Sequence, residues 1–191
     1  MECIYFDANN NCSGKRMKEI SENLVSMYPE YDITSKQILK HITIYYPNDL
    51  LSLLSNIIAL EKESKRIQLI VIDSLPLFYK KTTYDTAIKL QTLVTLIQHL
   101  TLLSSQKYCA IVVVNHLTTK EINRNYTDIN YQLTKEFQFS FTKSLGVSFC
   151  SYSKLFLYLF HSTDGLHLLI HSSFSLENHI LPCAITENGF E

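Results

Sequence analysis

With 191 residues, 46% of them hydrophobic and 18% charged, the chain has enough apolar material for one globular domain with a sizeable core. A formal net charge of -1 excludes a global basic field for nucleic acid, so any DNA contact needs a local patch. Only 4 Gly and 4 Pro exclude a linker-like chain and predict long, regular elements. The 5 cysteines (Cys3, Cys12, Cys109, Cys150 and Cys183) are odd in number, widely spaced and without a Cys-x-x-Cys pair. That predicts reduced thiols in an intracellular compartment, with Cys109 and Cys150 in the core. His161, His167 and His171 are too loosely placed for a zinc site. The acidic start carries no signal-peptide pattern, and no apolar run reaches the roughly 18 residues of a membrane span.

In chain order, residues 1–7 predict a strand closing on Asp7, and residues 8–14 a polar loop. Residues 15–27 place Met17, Ile20, Leu24 and Met27 on one face of an amphipathic helix, which Pro29 stops. Residues 31–39 read as short and partly helical. Ile42, Ile44 and Tyr46 alternate, which predicts a strand over 41–46. Pro47-Asn48-Asp49 opens a helix over 50–61, with Asn48 or Asp49 as its N-cap. A charged turn at 62–66 leads into the run Ile67-Gln68-Leu69-Ile70-Val71-Ile72-Asp73. Such a run fits a strand buried on both faces of a parallel sheet. Its closing acid needs a reason, because an unpaired buried carboxylate is costly. Asp73 with Ser74 has two readings. It is a magnesium-positioning acid in the crevice at the strand's carboxyl end, or a turn-forming or helix-capping residue.

Residues 74–85 predict a loop with Lys80 and Lys81 beside aromatics, and residues 86–105 a long helix. Residues 110–114 form a second apolar strand, followed by Asn115-His116. Residues 118–141 are long, polar and aromatic, with Lys120, Arg124, Tyr126, Tyr131 and Lys135. Strands over 154–161, 166–172 and 180–186 then read as a meander. Alternating strands and helices followed by consecutive strands predict an α/β fold. It is a mostly parallel sheet flanked by helices and extended by antiparallel C-terminal strands. No shift in composition marks a second domain.

Taken together, these pieces resemble the core ATPase domain of the RecA-type recombinases, in particular the eukaryotic strand-exchange branch and its paralogs. The resemblance runs over nearly the whole chain. Ile4-Tyr5-Phe6-Asp7 is similar to the family's strand that ends in an acid before the catalytic glutamate, and residues 15–24 to the helix after it. Ile70, Val71, Ile72, Asp73 and Ser74, with Leu77-Phe78-Tyr79, resemble the magnesium-site strand and the segment after it. Val112-Val113-Val114-Asn115 resembles the strand whose Asn-Gln end senses the terminal phosphate, so Asn115 and His116 take the sensor position. Leu145-Gly146 and residues 154–158 are similar to the segment after the second DNA-facing loop, and residues 169–189 to the final strands.

The departures from the family pattern bear on activity. The family's phosphate-binding loop precedes the strand with which this sequence opens, so the resemblance implies a single core domain over 1–191, truncated at its start. Residues 9–16 hold Gly14-Lys15, but Asn9 stands for the first glycine and Arg16 for the magnesium-binding Ser/Thr. Asn9 also falls where the family has its catalytic glutamate, and an amide cannot serve as a base. His116 replaces the phosphate-sensing Gln.

The resemblance therefore implies a nuclear, non-catalytic accessory protein of homologous recombination, with no cofactor of its own. ATP and magnesium would enter only through a partner. Partners are another recombinase paralog, which the truncated sheet would require, and the recombinase filament. Single-stranded DNA is contacted weakly or within the complex, through Lys80, Lys81, Lys120, Arg124, Lys135 and Lys143, and no membrane is involved. The competing expectation is an NTPase subunit whose ATP site a partner completes.

Overall fold

In a computed structural model of the chain, residues 1–121, 139–143, 155–162, 165–172, 178–186 and 189–190 are described. They divide into two compact units. One comprises Met1–Asn11 and Thr43–Cys150, the other Cys12–Ile42 and Ser151–Glu191.

The first unit is built on β1 (Glu2–Asp7), β2 (Ile42–Tyr45), β3 (Ile67–Asp73) and β4 (Ala110–Val113). Their order is β2-β1-β3-β4, and β1–β3 and β3–β4 are parallel. Ile4, Phe6, Ile70 and Ile72 point to one face and are at most 2% exposed. Their β-branched and aromatic side chains suit a pleated, buried surface. Helices α3 (Leu50–Lys62), α4 (Leu75–Lys81) and α5 (Thr86–Lys107) supply the rest of this core. Leu50, Leu53, Ile57, Leu75, Phe78, Leu96 and Leu103 are fully buried. Asp49 caps α3 through a capping box with Ser52, at 2.8 Å from its backbone N–H. Buried Thr82 ties α4 to α3. Its hydroxyl accepts from Leu50 N at 3.0 Å and donates to Phe78 O at 2.9 Å. His99 on α5 meets Glu61 on α3 at 2.7 Å.

The sheet is covered less evenly than a run of Ile, Leu and Val predicts. On β3, Ile67, Ile70 and Ile72 are buried, Leu69 and Val71 half-buried, and Gln68 exposed. The register slips between Glu2 and Cys3, leaving Gln68 as an extra residue. That bulge resets the alternation, so Ile67 and Ile70 both turn inward although an odd number of bonds separates them. Val112 on β4 is 46% exposed. The expectation of burial on both faces is corrected accordingly.

Residues 74–85, expected as a loop, contain α4. Leu75 and Phe78 share one helical face and are buried, while Pro76 sits in the first turn, where its missing N–H does no harm. The long, polar and aromatic stretch read over 118–141 contributes to two strands. Leu117–Glu121 (β5) and Phe139–Lys143 (β6) pair antiparallel. Cys109 is buried, as expected, and burial pushes its thiol pKa up. Cys150 lies outside the described residues.

The second unit holds α1 (Gly14–Met27), a 3₁₀ turn (Pro29–Tyr31), α2 (Ser35–Lys40) and the C-terminal strands. Strands β7 (Leu155–Ser162), β8 (Gly165–Ser172) and β9 (Asn178–Cys183) form the expected antiparallel meander. Among the described residues it is a sheet of its own rather than an extension of the parallel one. Ile185–Thr186 (β10) and Gly189–Phe190 (β11) form a small ribbon, and Arg16 Nη2 donates to Thr186 O at 2.6 Å. Ser21 of α1 is buried and meets Ser35 of α2 hydroxyl to hydroxyl.

Two substitutions test this packing. Replacing fully buried Ile72 with Ala is expected to lower stability by about 2–5 kcal/mol in urea unfolding, the usual cost of emptying a tight core site. Tyr108 ends α5 at φ 53° and is 93% exposed, so its side chain has a backbone cost without packing in return. Tyr108→Gly is expected to raise stability by about 0.5–1 kcal/mol.

Candidate functional site

The carboxyl ends of β1, β3 and β4 lie side by side, and here the polar residues of the sheet collect. Register places Asp7 next to Asp73. Two neighbouring carboxylates repel unless donors compensate them. Each has one at hand. Tyr5 donates its phenolic O–H to Asp73 Oδ2 at 2.6 Å, and Asn9 N donates to Asp7 Oδ1 at 2.9 Å. Tyr5 can reach because it precedes Asp7 by two residues, shares its face, and stands opposite Val71 one step below Asp73. Asp7 is 4% exposed, so its carboxylate leans on internal donors rather than water.

The segment after β1 is held to the same place. Ala8 N donates to Asp73 O at 2.7 Å, and the Lys81 ammonium on α4 donates to Ala8 O. Lys81 thus brings a positive charge to the end of β1.

On the other side, the Asp73–Ser74 peptide is cis. Ser74 occupies the N-cap of α4, yet its side chain makes no capping bond. Its buried hydroxyl meets His116 Nε2 at 3.0 Å instead. Val114 N donates to Ile72 O at 2.9 Å and Leu75 N to Val114 O at 3.2 Å, which carries the β3–β4 pairing into the start of α4. Asn115 Oδ1 accepts from His116 N at 2.8 Å.

Of the residues singled out in the sequence, Asp73, Ser74, Asn115 and His116 are therefore brought together, above buried Ile70 and Ile72 and half-buried Val71. Asp7, predicted as a strand-closing acid, and Lys81, predicted as a DNA-facing cation, join them, together with Tyr5, which local pattern did not pick out. The one signal for Tyr5 was its two-residue offset from an acid on the same strand. The capping reading of Asp73 is corrected, since its carboxylate faces Tyr5. Asp7 and Asp73 offer hard oxygen donors, but among the described residues no group of three His, Cys, Asp or Glu forms a metal-ligating cluster.

The cationic positions are more dispersed. Lys80 is exposed in the last turn of α4, and Lys81 is engaged by Ala8. Phe78, within the stretch expected as a loop over 74–85, is fully buried in the helix. Lys120 stands opposite Ser140 and Lys143 opposite Leu117, three steps apart along the β5–β6 ladder. Arg124, Tyr126, Tyr131 and Lys135 lie outside the described residues. No helix among the described residues is long and apolar enough to cross a membrane.

Removing either partner should reveal whether the tyrosine–carboxylate bond matters. A double-mutant cycle of Tyr5→Phe and Asp73→Ala is expected to return a coupling of about 1–3 kcal/mol in urea unfolding. A coupling near zero would mean that solvent replaces the phenol without loss.

Comparison with known proteins gives one point of reference. The chain is 25% identical over 133 residues to DNA repair protein RAD51 homolog 3 of Dictyostelium discoideum. The alignment covers 62% of this chain and 35% of that protein, so the chain spans about a third of its length. No protein-family model matches the chain. The match supports a relationship to the RecA-type recombinases, in agreement with the α/β architecture.

Proposed function

We propose that this chain is a non-catalytic accessory factor of homologous-recombination DNA repair. It pairs with another recombinase paralog in the nucleus and binds or remodels the recombinase filament on single-stranded DNA. The relationship to a protein named for DNA repair supports the process.

The observation that carries the non-catalytic part is the state of Asp73. RecA-type ATPases position magnesium at this strand end. Here Asp73 is held by Tyr5, and Asn9 stands where the resemblance puts the catalytic glutamate. A nucleotide-bound magnesium takes its ligands from carboxylates and from phosphates together. An asparagine adds no base to activate water. ATP and magnesium accordingly belong to this protein only through a partner. Contact with DNA falls to Lys80 and to the cationic residues of 118–143, where it is weak and electrostatic.

Phosphate release from ATP by the purified chain, alone and co-expressed with a recombinase paralog, separates the readings. The expected rate alone is that of buffer. Hydrolysis by the chain alone that Asp73→Ala abolishes would overturn the accessory reading. Hydrolysis that appears only with the paralog, and is lost in Asp73→Ala, would make the chain an NTPase subunit. Binding of a single-stranded oligonucleotide by the complex, followed by fluorescence anisotropy, is expected to weaken steeply as salt is raised.

A further inference from the structure

Helix α1 does not cover its own apolar stripe. Met17 and Ile20 are half-buried, but Leu24 is 37% exposed and Met27 is 50% exposed. The apolar surface continues beyond the helix, where Tyr28 is 46%, Tyr31 71% and Ile33 39% exposed. The rings of Tyr28 and Tyr31 contact each other with centroids 6.2 Å apart.

This surface is built on ordered backbone. Tyr28 N donates to Leu24 O at 3.1 Å, Tyr31 N to Tyr28 O at 3.3 Å, and Asp32 N to Pro29 O at 3.3 Å. Pro29 presets the turn, and Asp32 closes it at φ 45°, a conformation Asp tolerates better than most residues. Both rings are thereby presented to solvent with little backbone freedom left to lose on binding.

Within residues 19–35 the charge has one sign. Between Glu19 and Ser35 the sequence carries Glu19, Glu22, Glu30 and Asp32 and no Lys or Arg. Glu19 and Glu22 are paired with Lys15, Arg16 and Lys18. Glu30 and Asp32 flank Tyr31, are exposed, and have no basic partner among the described residues.

We propose that this patch docks a basic, apolar segment of a partner protein. An aliphatic or aromatic anchor packs on Leu24, Met27 and Ile33. An Arg or Lys lies over Tyr28 or Tyr31, within reach of Glu30 and Asp32. Tyrosine faces attract cations, and exposed apolar residues of this density mark contact sites. The two acids choose the sign of the partner, and they repel phosphate backbones, which excludes nucleic acid here. The inference does not depend on the role of the strand-end acids.

Selection of a phage-displayed random-peptide library on the full chain tests this, with Tyr28→Ala/Tyr31→Ala and Glu30→Lys/Asp32→Lys as paired variants. All four positions are solvent-exposed, and circular dichroism checks that the variants fold. The wild type is expected to enrich peptides with net positive charge and apolar anchors. Their affinity is expected to fall by about tenfold or more in each double variant, with added salt weakening the wild-type complex. Failure to enrich any peptide, enrichment of neutral or acidic ones, or binding by either double variant as tight as that of the wild type would overturn the proposal.

Discussion

Two carboxylates meet at the carboxyl end of the parallel sheet, and the structure around them is organised to hold that pair in place. Asp7 and Asp73 are brought together by the β1–β3 register, which the burial of Ile4, Phe6, Ile70 and Ile72 enforces. Shifting either strand by one residue would turn those side chains out of the core. The repulsion between the acids is therefore a consequence of packing, and hydrogen bonding compensates it. Tyr5 serves one carboxylate and the backbone of Asn9 the other, while Lys81 adds a positive charge through Ala8.

Helix α4 follows from the same arrangement. Its first N–H groups lie at the strand end, where Leu75 N bonds to Val114 O and the Ser74 hydroxyl turns to His116. Leu75 and Phe78 then anchor the helix in the core, and Thr82 fastens its end to the start of α3. Strand ends, helix starts and polar residues thus form one continuous bonded layer. A RecA-type ATPase uses this layer to hold nucleotide. In this chain its polar groups are satisfied largely by one another. The exposed tyrosines after α1, with their acidic neighbours, are the surface proposed above for a basic partner segment.

Much of the framework was legible in the sequence. The bounds of β3, the cap of α3 at Asp49 and the β7–β8–β9 meander follow from apolar periodicity and turn residues, which act over a few positions. Two features differ from what the sequence predicts. Helix α4 lies in a stretch that reads as a loop, although Leu75 and Phe78 carry helical spacing. Burial of β3 was overestimated because the bulge at Gln68 leaves no trace in composition.

The sequence by itself determined where most strands and helices run and that two strands end in acids. Those are local facts, set by side-chain chemistry and short-range periodicity. Only the tertiary structure decided which groups those acids meet. Tyr5 lies 68 residues from Asp73, and Ser74 lies 42 from His116. Such pairs depend on the register of parallel strands joined by long crossovers, and that register is chosen by the fit of the whole core.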